Sequence, residues 1–385
     1  MSNKAESAGN GSRVALKKCR DYDSDAVSAA VEKAVEELGG IDRFVPPKSR
    51  VLLKANLLIG RSVEKQVTTH PEVVRAMVKL VKKAGGIPVI GDSPALGSAI
   101  RVAAKCGVAD VAKQERVEVV DFNRPVEVDN NSDGKFKKFK IDRAVLDTDV
   151  VINLPKLKTH GQMTLTLGVK NIFGVVPGTR KSQWHLAAGS DRMDFARMLV
   201  DLYRKVSPAL TLIDGIVAME GNGPQTGDPR DMGLIAASAD AAALDAVICE
   251  IVGLKRELMP TSLAVEEMGA GRTRLEEISV AGDRMEDFMV SDFVFPPTGH
   301  LMSMFPGFMR RHARNWLTTR PVLHPEMCEM CLICLKNCPA KVITKHGDSL
   351  KFDLDKCIRC FCCQEMCPEG AITVESGPLA RVLRL

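Results

Sequence analysis

The chain has 385 residues, 45% of them hydrophobic and 26% charged, with a formal net charge of +5. That length exceeds one small domain, and the composition is ordinary for a folded globular protein. The small charge excess and the 4% aromatic content exclude the concentrated basic field and stacking rings of a nucleic-acid binder.

Residues 1–12 are polar and rich in Gly, Ser and Asn, without the apolar core of a signal peptide, and read as a disordered tail. No apolar run reaches the roughly 18–20 residues that span a bilayer. The expectation is a cytoplasmic protein with no transmembrane segment.

Ser24 to Leu38 carries Val27, Ala30, Val31, Ala34, Val35 and Leu38 at helical spacing and stops at Gly39-Gly40. A short apolar strand follows, Arg50 to Asn56, ending in polar Lys54 and Asn56. Thr69 is placed to cap a helix that starts at Pro71 and runs to Gly85-Gly86. The pattern continues with a strand Ile87–Ile90, a helix near Ser98–Cys106 and a strand near Val117–Phe122. This alternation predicts an α/β fold, a mainly parallel sheet flanked by helices.

Residues 125–141 break it. Val126 and Val128 face Phe136 and Phe139 across Asn130-Asn-Ser-Asp-Gly134, a hairpin signal. Strand character resumes at Asp149–Leu154 and again at Leu210–Asp214 and Met232–Ser238. Helices are expected at Asp194–Val206 and Ala241–Val252. Between 255 and 300 the pattern supports no assignment. Cys19, Cys106 and Cys249 stand alone and read as small buried hydrophobes.

In open α/β sheets ligands bind beyond the carboxyl ends of the strands, so the polar residues there are the candidates. Asn153-Leu-Pro-Lys156-Leu-Lys158-Thr159-His160-Gly161 and Gly168-Val-Lys170-Asn171-Ile-Phe-Gly174 read as an anion-binding loop for phosphate or carboxylate. Lysine brings a compact charge with three donors, and glycine lets backbone N–H groups approach. Lys54, Asn56, Thr69 and His70 fall on the same sheet edge. Asp214 and Glu220 are the acidic counterpart, able to hold a divalent cation or act as acid and base. Taken singly, each such residue is as readily a solvated charge or a turn. Gly221-x-Gly223-x3-Gly227 lacks dinucleotide-loop spacing, and neither a P-loop nor a G-x-S-x-G elbow occurs.

A linker spans 295–324. From Leu301 to His324 it holds Arg310, Arg311, Arg314 and Arg320 and no acid. It reads either as a tether or as a strip for peripheral contact with a membrane surface or acidic partner.

The remainder, 325–377, carries two matching runs. Cys328-x2-Cys331-x2-Cys334-x3-Cys338-Pro339 is followed by Cys357-x2-Cys360-x2-Cys363-x3-Cys367-Pro368. Each reproduces the spacing of bacterial two-cluster ferredoxins, in which the fourth cysteine of a run ligates the other cluster. By that rule one [4Fe–4S] cluster takes Cys328, Cys331, Cys334 and Cys367, and the other takes Cys357, Cys360, Cys363 and Cys338. Two zinc knuckles are the alternative for C-x2-C pairs. They leave the third cysteine of each triplet and the Cys-Pro ending unexplained. Ala340–Thr344 and Glu369–Thr373 repeat as matching strand tails. Cys362 breaks the register and reads as a spare thiol beside the second cluster.

Lys156-Leu-Lys-Thr-His160 through Lys170-Asn171-Ile-Phe-Gly174, with Thr69-His70-Pro71, Asp214-Gly-Ile and the C-terminal cysteine runs, resembles the DUF362 family. The resemblance covers about 13–300 for an α/β domain, set at 13–294, and about 320–375 for the ferredoxin module to which such proteins are often fused. It implies that fusion and no particular reaction.

The expected function is passage of low-potential electrons from two [4Fe–4S] clusters to a small anionic substrate or cofactor held by Lys54, Asn56, Lys156, Lys158, Lys170, Asn171, Asp214 and Glu220. His160 or His70 is the proton donor, since histidine titrates near working pH. A divalent cation or a flavin is admitted as a further cofactor. A non-enzymatic electron-transfer or cluster-delivery adaptor, docking a redox partner protein, is the alternative.

Overall fold

The computed structural model describes residues 12–178, 180–297 and 315–382. The expected tail thus lies almost wholly outside the described residues, as does most of the basic strip, including Arg310, Arg311 and Arg314. Ten strands form the main sheet among the described residues. In chain order the strands outside the cysteine-rich part are β1 (Ser12–Lys18), β2 (Arg50–Ala55), β3 (Ile87–Asp92), β4 (Glu118–Asp121), β5 (Pro125–Asp129) and β6 (Lys138–Asp142). They continue with β7 (Val150–Leu154), β8 (Lys156–His160), β9 (Thr164–Thr166), β10 (Leu210–Glu220), β11 (Asp228–Ser238) and β12 (Ile278–Gly282). The main path runs β12-β1-β11-β10-β7-β2-β3-β4, with β8 on β10 and β9 on β8.

β4, β3, β2, β7 and β10 are mutually parallel. β11 runs antiparallel to both β10 and β1. The sheet is therefore mainly parallel, and helices cover both faces. Helices Ser24–Glu36 and Pro71–Lys83 pack one face through Val31, Val35, Val74 and Met77. Helix Arg192–Val206 packs the other through Phe195, Leu199 and Leu202. Helix Ala241–Ile251 joins it through Leu244 and Ile248. Burial on two faces explains the apolar runs in β2 and β7.

Several elements differ from the sequence expectations. β1 pairs with β11 and β12, yet no strand is predicted there, because its seven residues directly follow the polar tail. The hairpin forms between β5 and β6, but eight residues join the strands, with Asn130 N–H bonded to Lys137 O. Asp133-Gly134 is thus part of a long loop and not a two-residue turn. Thr69 is not the cap of the helix at Pro71. His70 is, its Nδ1 accepting from Glu72 N at 3.2 Å. Thr69 Oγ1 instead ties two segments together, accepting from Asn56 N and donating to Leu154 O. The segment without assignment contains helix Pro260–Met268 and β12. Cys19, Cys106 and Cys249 are buried.

The cysteine-rich part contributes β13 (Arg320–Leu323), β14 (Ile343–His346), β15 (Ser349–Phe352) and β16 (Ile372–Glu375). β13 pairs antiparallel with β16, and β14 with β15. The two strand tails expected to repeat thus do repeat, each in its own small sheet. Arg320, assigned to the linker by sequence, opens β13. No described helix is long and apolar enough to cross a membrane.

Candidate metal centres and the lysine-rich sheet edge

β8 is where the sequence reading departs most from the structure. Lys156–His160 was expected as a loop and is a strand, buried at all five positions. Alternation along it puts Lys156, Lys158 and His160 on one face, while Leu157 enters the core on the other. A buried polar strand survives only if each head group finds partners. Here each does.

Lys156 Nζ is 3.0 Å from Asp214 Oδ2, donates to Gln66 Oε1 at 2.9 Å, and lies 2.7 Å from Tyr22 Oη. Tyr22 donates to Asp214 Oδ1 at 2.8 Å, and His70 N–H to Asp214 Oδ2 at 2.8 Å. The Tyr22 and His70 rings stack with centroids 3.5 Å apart. Burial lowers the Lys156 pKa and Asp214 opposes the shift.

A second nest forms at the ends of β2 and β3. Lys54 Nζ lies 2.8 Å from Asp92 Oδ1 and donates to Ala55 O and Asn171 Oδ1. Asn56 Nδ2 also reaches Asn171 Oδ1, at 2.8 Å, and Asn171 Nδ2 donates to Asn153 Oδ1 at 2.9 Å. Lys158 Nζ donates to Asn56 Oδ1 at 2.9 Å and to Val67 O. Burial pushes the Lys158 pKa well down, and nearby Lys170 adds to it. Gly174 is required here, since a Cβ there would overlap Asp92 Oδ1 and Lys54 Nζ.

The third group meets the cysteine-rich part. His160 Nδ1 accepts from Gln162 N and Met163 N at 3.1 and 3.2 Å. That puts the ring proton on Nε2, which stands 2.7 Å from Glu365 Oε1. The contact is off the line of the ring N–H, and neither atom has another hydrogen-bond partner. Burial would raise Glu365, but His160 and Lys170 outweigh it and hold the carboxyl below its ordinary range. Lys170 is half-buried, and burial lowers its pKa while Glu365 opposes the shift. Lys181 donates to Ser93 O and Pro94 O, and His185, stacked on Phe195, has an unpartnered buried Nδ1. Lys181, His185, Glu365 and Cys362 line a cavity of about 30 Å3, room for water and no more.

The structure thus gathers Lys54, Asn56, Lys158, His160, Lys170 and Asn171 at one edge, with Lys156, Asp214 and His70 adjoining. It does not bring in Glu220, which lies six residues beyond Asp214 on β10, roughly 20 Å along a strand. Glu220 there accepts from Val294 N and faces Arg230. The two carboxylates are therefore too far apart to share one cation. Larger clefts of about 600 and 670 Å3 lie elsewhere, one around Lys135 and Asp194 and one around Arg256 and Arg274, both lined largely by charged side chains. Sequence reasoning missed Tyr22, Gln66, Asp92 and Glu365. Asp92 alone carried a signal, as a polar residue just beyond the predicted strand Ile87–Ile90.

The two cysteine runs share one backbone path. Left-handed residues recur at Met330 and Leu332 after Cys328, and at Arg359 and Phe361 after Cys357, with Lys341 and Gly370 matching after Cys338 and Cys367. Backbone N–H groups of Val342, Arg359 and Ala371 point at the sulfurs of Cys338, Cys357 and Cys367 at 3.3–3.5 Å. Burial lifts Cys334 to about 11, with Cys367, Cys331 and Cys328 adding to the rise. Burial likewise raises Cys338, with Cys360 and Cys357 contributing. Thiol donors, loop turns and N–H groups aimed at sulfur fit [4Fe–4S] clusters.

The runs differ in exposure. In the first run Cys331 is exposed, Cys328 and Cys338 are half-exposed and Cys334 is buried, whereas Cys357, Cys360, Cys363 and Cys367 of the second are all buried. The second run sits on the sheet edge. Gln225 Nε2 donates to Gln364 O and Cys367 O, while Gln364 Nε2 donates to Asn222 Oδ1 at 2.7 Å. Gly161 admits no side chain, since a Cβ would come within 2.7 Å of Val374.

Residues 51–250 match the family described as a domain of unknown function (DUF362), and residues 320–368 match the 4Fe-4S dicluster domain. Over 263 residues the chain is 45% identical to a thylakoid-associated protein of Synechocystis sp., covering 68% of this chain and 81% of the relative. Over 69 residues it is 38% identical to pyruvate synthase subunit PorD of Thermotoga maritima, covering 17% of this chain and 70% of that one. The lactate racemase apoprotein of Thermoanaerobacterium thermosaccharolyticum is similar at 14% identity with a TM-score of 0.39, over 61% of this chain and 55% of that one. A score of that size bears on neither fold nor function. The dicluster match and the paired cysteine runs make this an iron–sulfur protein with an electron-transfer role.

Two outcomes are expected. Gly174→Ala separates the buried Lys54–Asp92 pair and should cost about 3 kcal/mol or more in denaturant unfolding. Burial lowers His70 and His160 to about 4 and His185 to about 3, while an unfolded histidine titrates near 6.5. The unfolded chain thus binds more protons in that window, so stability is full above about pH 6.5 and is lost as pH falls through about 4. His185→Phe should make that fall shallower in unfolding midpoints measured across the window.

Proposed function

The chain belongs to the family described as a domain of unknown function (DUF362), joined to a 4Fe-4S dicluster domain, and from that premise we propose that it passes low-potential electrons to a small anionic substrate or cofactor at the sheet edge. Two [4Fe–4S] clusters, one on Cys328, Cys331, Cys334 and Cys367 and one on Cys357, Cys360, Cys363 and Cys338, supply one-electron transfer when bound. The single observation that carries the reading is the unequal exposure of the two runs. Cys331 faces solvent, where a redox partner protein docks, and the second run is buried against β8 and the loop 222–226.

The chain's own residues do the rest. Lys158 and Lys170, with Lys54 behind them, attract a phosphate- or carboxylate-bearing group, and the fixed amides of Asn56 and Asn171 orient the lysine heads. His160 holds a proton at Nε2 facing the interface. With burial lowering it to about 4, His160 is neutral at working pH and can orient a reduced substrate by a hydrogen bond but not supply its proton; His70 is lowered to about 4 as well and is committed to its cap and its stack on Tyr22.

A second reading is favoured by the small cavity and by the protein partners that Lys54, Lys156 and Lys158 already have. On it the chain is a non-enzymatic adaptor, carrying electrons or clusters to a partner protein. The similarity to a subunit of pyruvate synthase supports a partner that is an oxidoreductase. The thylakoid association of the Synechocystis relative supports a partner at a membrane surface.

Anaerobically reconstituted protein should hold about eight irons per chain and give a reducible [4Fe–4S] signal by EPR. Anaerobic purification followed by mass spectrometry should then find a small anion, retained tenfold less by Lys158→Ala with the cluster signal intact. If Lys158→Ala and His160→Ala leave every ligand affinity and redox rate unchanged, the substrate site is wrong. A tight complex with a redox protein and no small anion would favour the adaptor.

A further inference from the structure

The two cysteine runs carry different residues at one matching place. The position before the second cysteine is Met330 in the first run and Arg359 in the other, both left-handed, with φ of 51° and 59°. Met330 turns its sulfur to 4.0 Å from Cys328 Sγ, a contact inside its own run. Arg359 sets a charge in the equivalent place and is only 8% exposed. Its Nη1 donates to Leu354 O at 2.9 Å, its Nη2 to Asn315 Oδ1 at 2.6 Å and its Nε to Thr318 Oγ1 at 3.4 Å. All three acceptors are neutral. Among the described residues, the exposed carboxylate of Asp355 bonds to Asn315 Nδ2 and not to the guanidinium.

A guanidinium keeps its charge at any working pH, and a buried charge is costly unless an opposite one answers it. The chain itself puts a candidate counter-charge beside it. Arg359 N–H points at Cys357 Sγ at 3.5 Å, and Cys360 is the next residue. Two assigned ligands of the second-run cluster are thus one and two residues from Arg359. A cluster on four thiolates is anionic, and each electron adds one negative charge.

The same guanidinium holds a separate stretch of chain in place. Asn315 and Thr318 precede β13, and Leu317 and Thr319 in that stretch are buried. Gly377 closes on it from the other side, where a Cβ would fall 2.3 Å from Trp316 O. Arg359 therefore clasps residues 315–319 to the second run.

We propose that Arg359 is a positioning residue that links the charge on the second-run cluster to the seating of residues 315–319. The cluster is the counter-ion of the buried guanidinium, so an electron arriving there tightens the clasp. No bond is made and no proton moves; one iron site is reduced and Arg359 keeps its charge. Such coupling is reciprocal, so the closed clasp favours the reduced cluster by the same factor. The inference deepens the reading above and rests on its cluster assignment.

The test is anaerobic hydrogen–deuterium exchange of the cluster-loaded protein, oxidised and reduced, read by mass spectrometry over 315–319. Reduction should slow exchange there by about fivefold or more, the low end of coupling between linked sites. Arg359→Lys keeps the charge and should keep the sign of that difference. Arg359→Met gives the second run the side chain found at the matching place in the first, and should abolish it. By reciprocity Arg359→Met should also lower the second-run midpoint by about 40 mV or more, the same factor converted at about 59 mV per tenfold for one electron. That midpoint is read by potentiometric titration with EPR, on the couple retained in Cys331→Ser. The proposal is overturned if exchange over 315–319 is the same in both redox states of the unsubstituted protein. It is equally overturned if the difference survives Arg359→Met, or if Arg359→Lys behaves like Arg359→Met. Should Arg359→Met fail to retain iron, the two redox states of the unsubstituted protein and of Arg359→Lys still decide. Lack of a reducible second cluster in the unsubstituted protein would instead sink the cluster assignment, a result distinguishable because it needs neither a variant nor an exchange measurement.

Discussion

Burying lysine ammoniums at the end of a parallel sheet is the constraint on which this structure turns. Lys54, Lys156 and Lys158 are almost wholly removed from water, and an unpaired charge there is costly. The chain meets the cost with carboxylates on neighbouring strands and with a relay of amides. Asp92 ends β3, Asp214 sits within β10, and Asn56, Asn153 and Asn171 connect the heads. Close packing of Gly174 against the Lys54–Asp92 pair leaves the arrangement no slack.

The same constraint joins the two parts of the chain. β8 ends at His160 and turns at Gly161, and the second cysteine run lies directly on that turn. Amide side chains from loop 222–226 and from Gln364 bond across the junction, largely to main-chain atoms. Those bonds depend on backbone position, so they fix the second run against the edge while the first run stays outside. The difference in exposure between the two runs follows from which of them is seated.

The cluster-binding part was legible because its signal is local. Two-residue gaps, a Cys-Pro ending and an exact repeat of spacing are written within each run, and the left-handed residues fall at matching offsets in both. The helices at Ser24 and Pro71 and the strands β2, β3 and β7 were legible for a similar reason, since two-face burial demands apolar periodicity. β8 was not. Lys-Leu-Lys-Thr-His is polar enough to read as a loop, and its alternation becomes meaningful only once β10 and β9 are known to pair with it. Thr69 misled in the same way, since a residue suited to capping a helix instead bridges two strand ends.

The sequence by itself determined the two cysteine runs, the alternation of strands and helices, and the cluster of lysines near Gly174. Those depend on spacing along the chain. The tertiary structure alone decided that Glu365 meets His160, that Tyr22 and Gln66 complete the Lys156 pair, that Glu220 stays apart, and which run of cysteines is buried. Those depend on which surfaces come together across long stretches of chain, 90 residues for Gln66 and 134 for Tyr22, where buried charge must find a partner from whatever segment folding brings near.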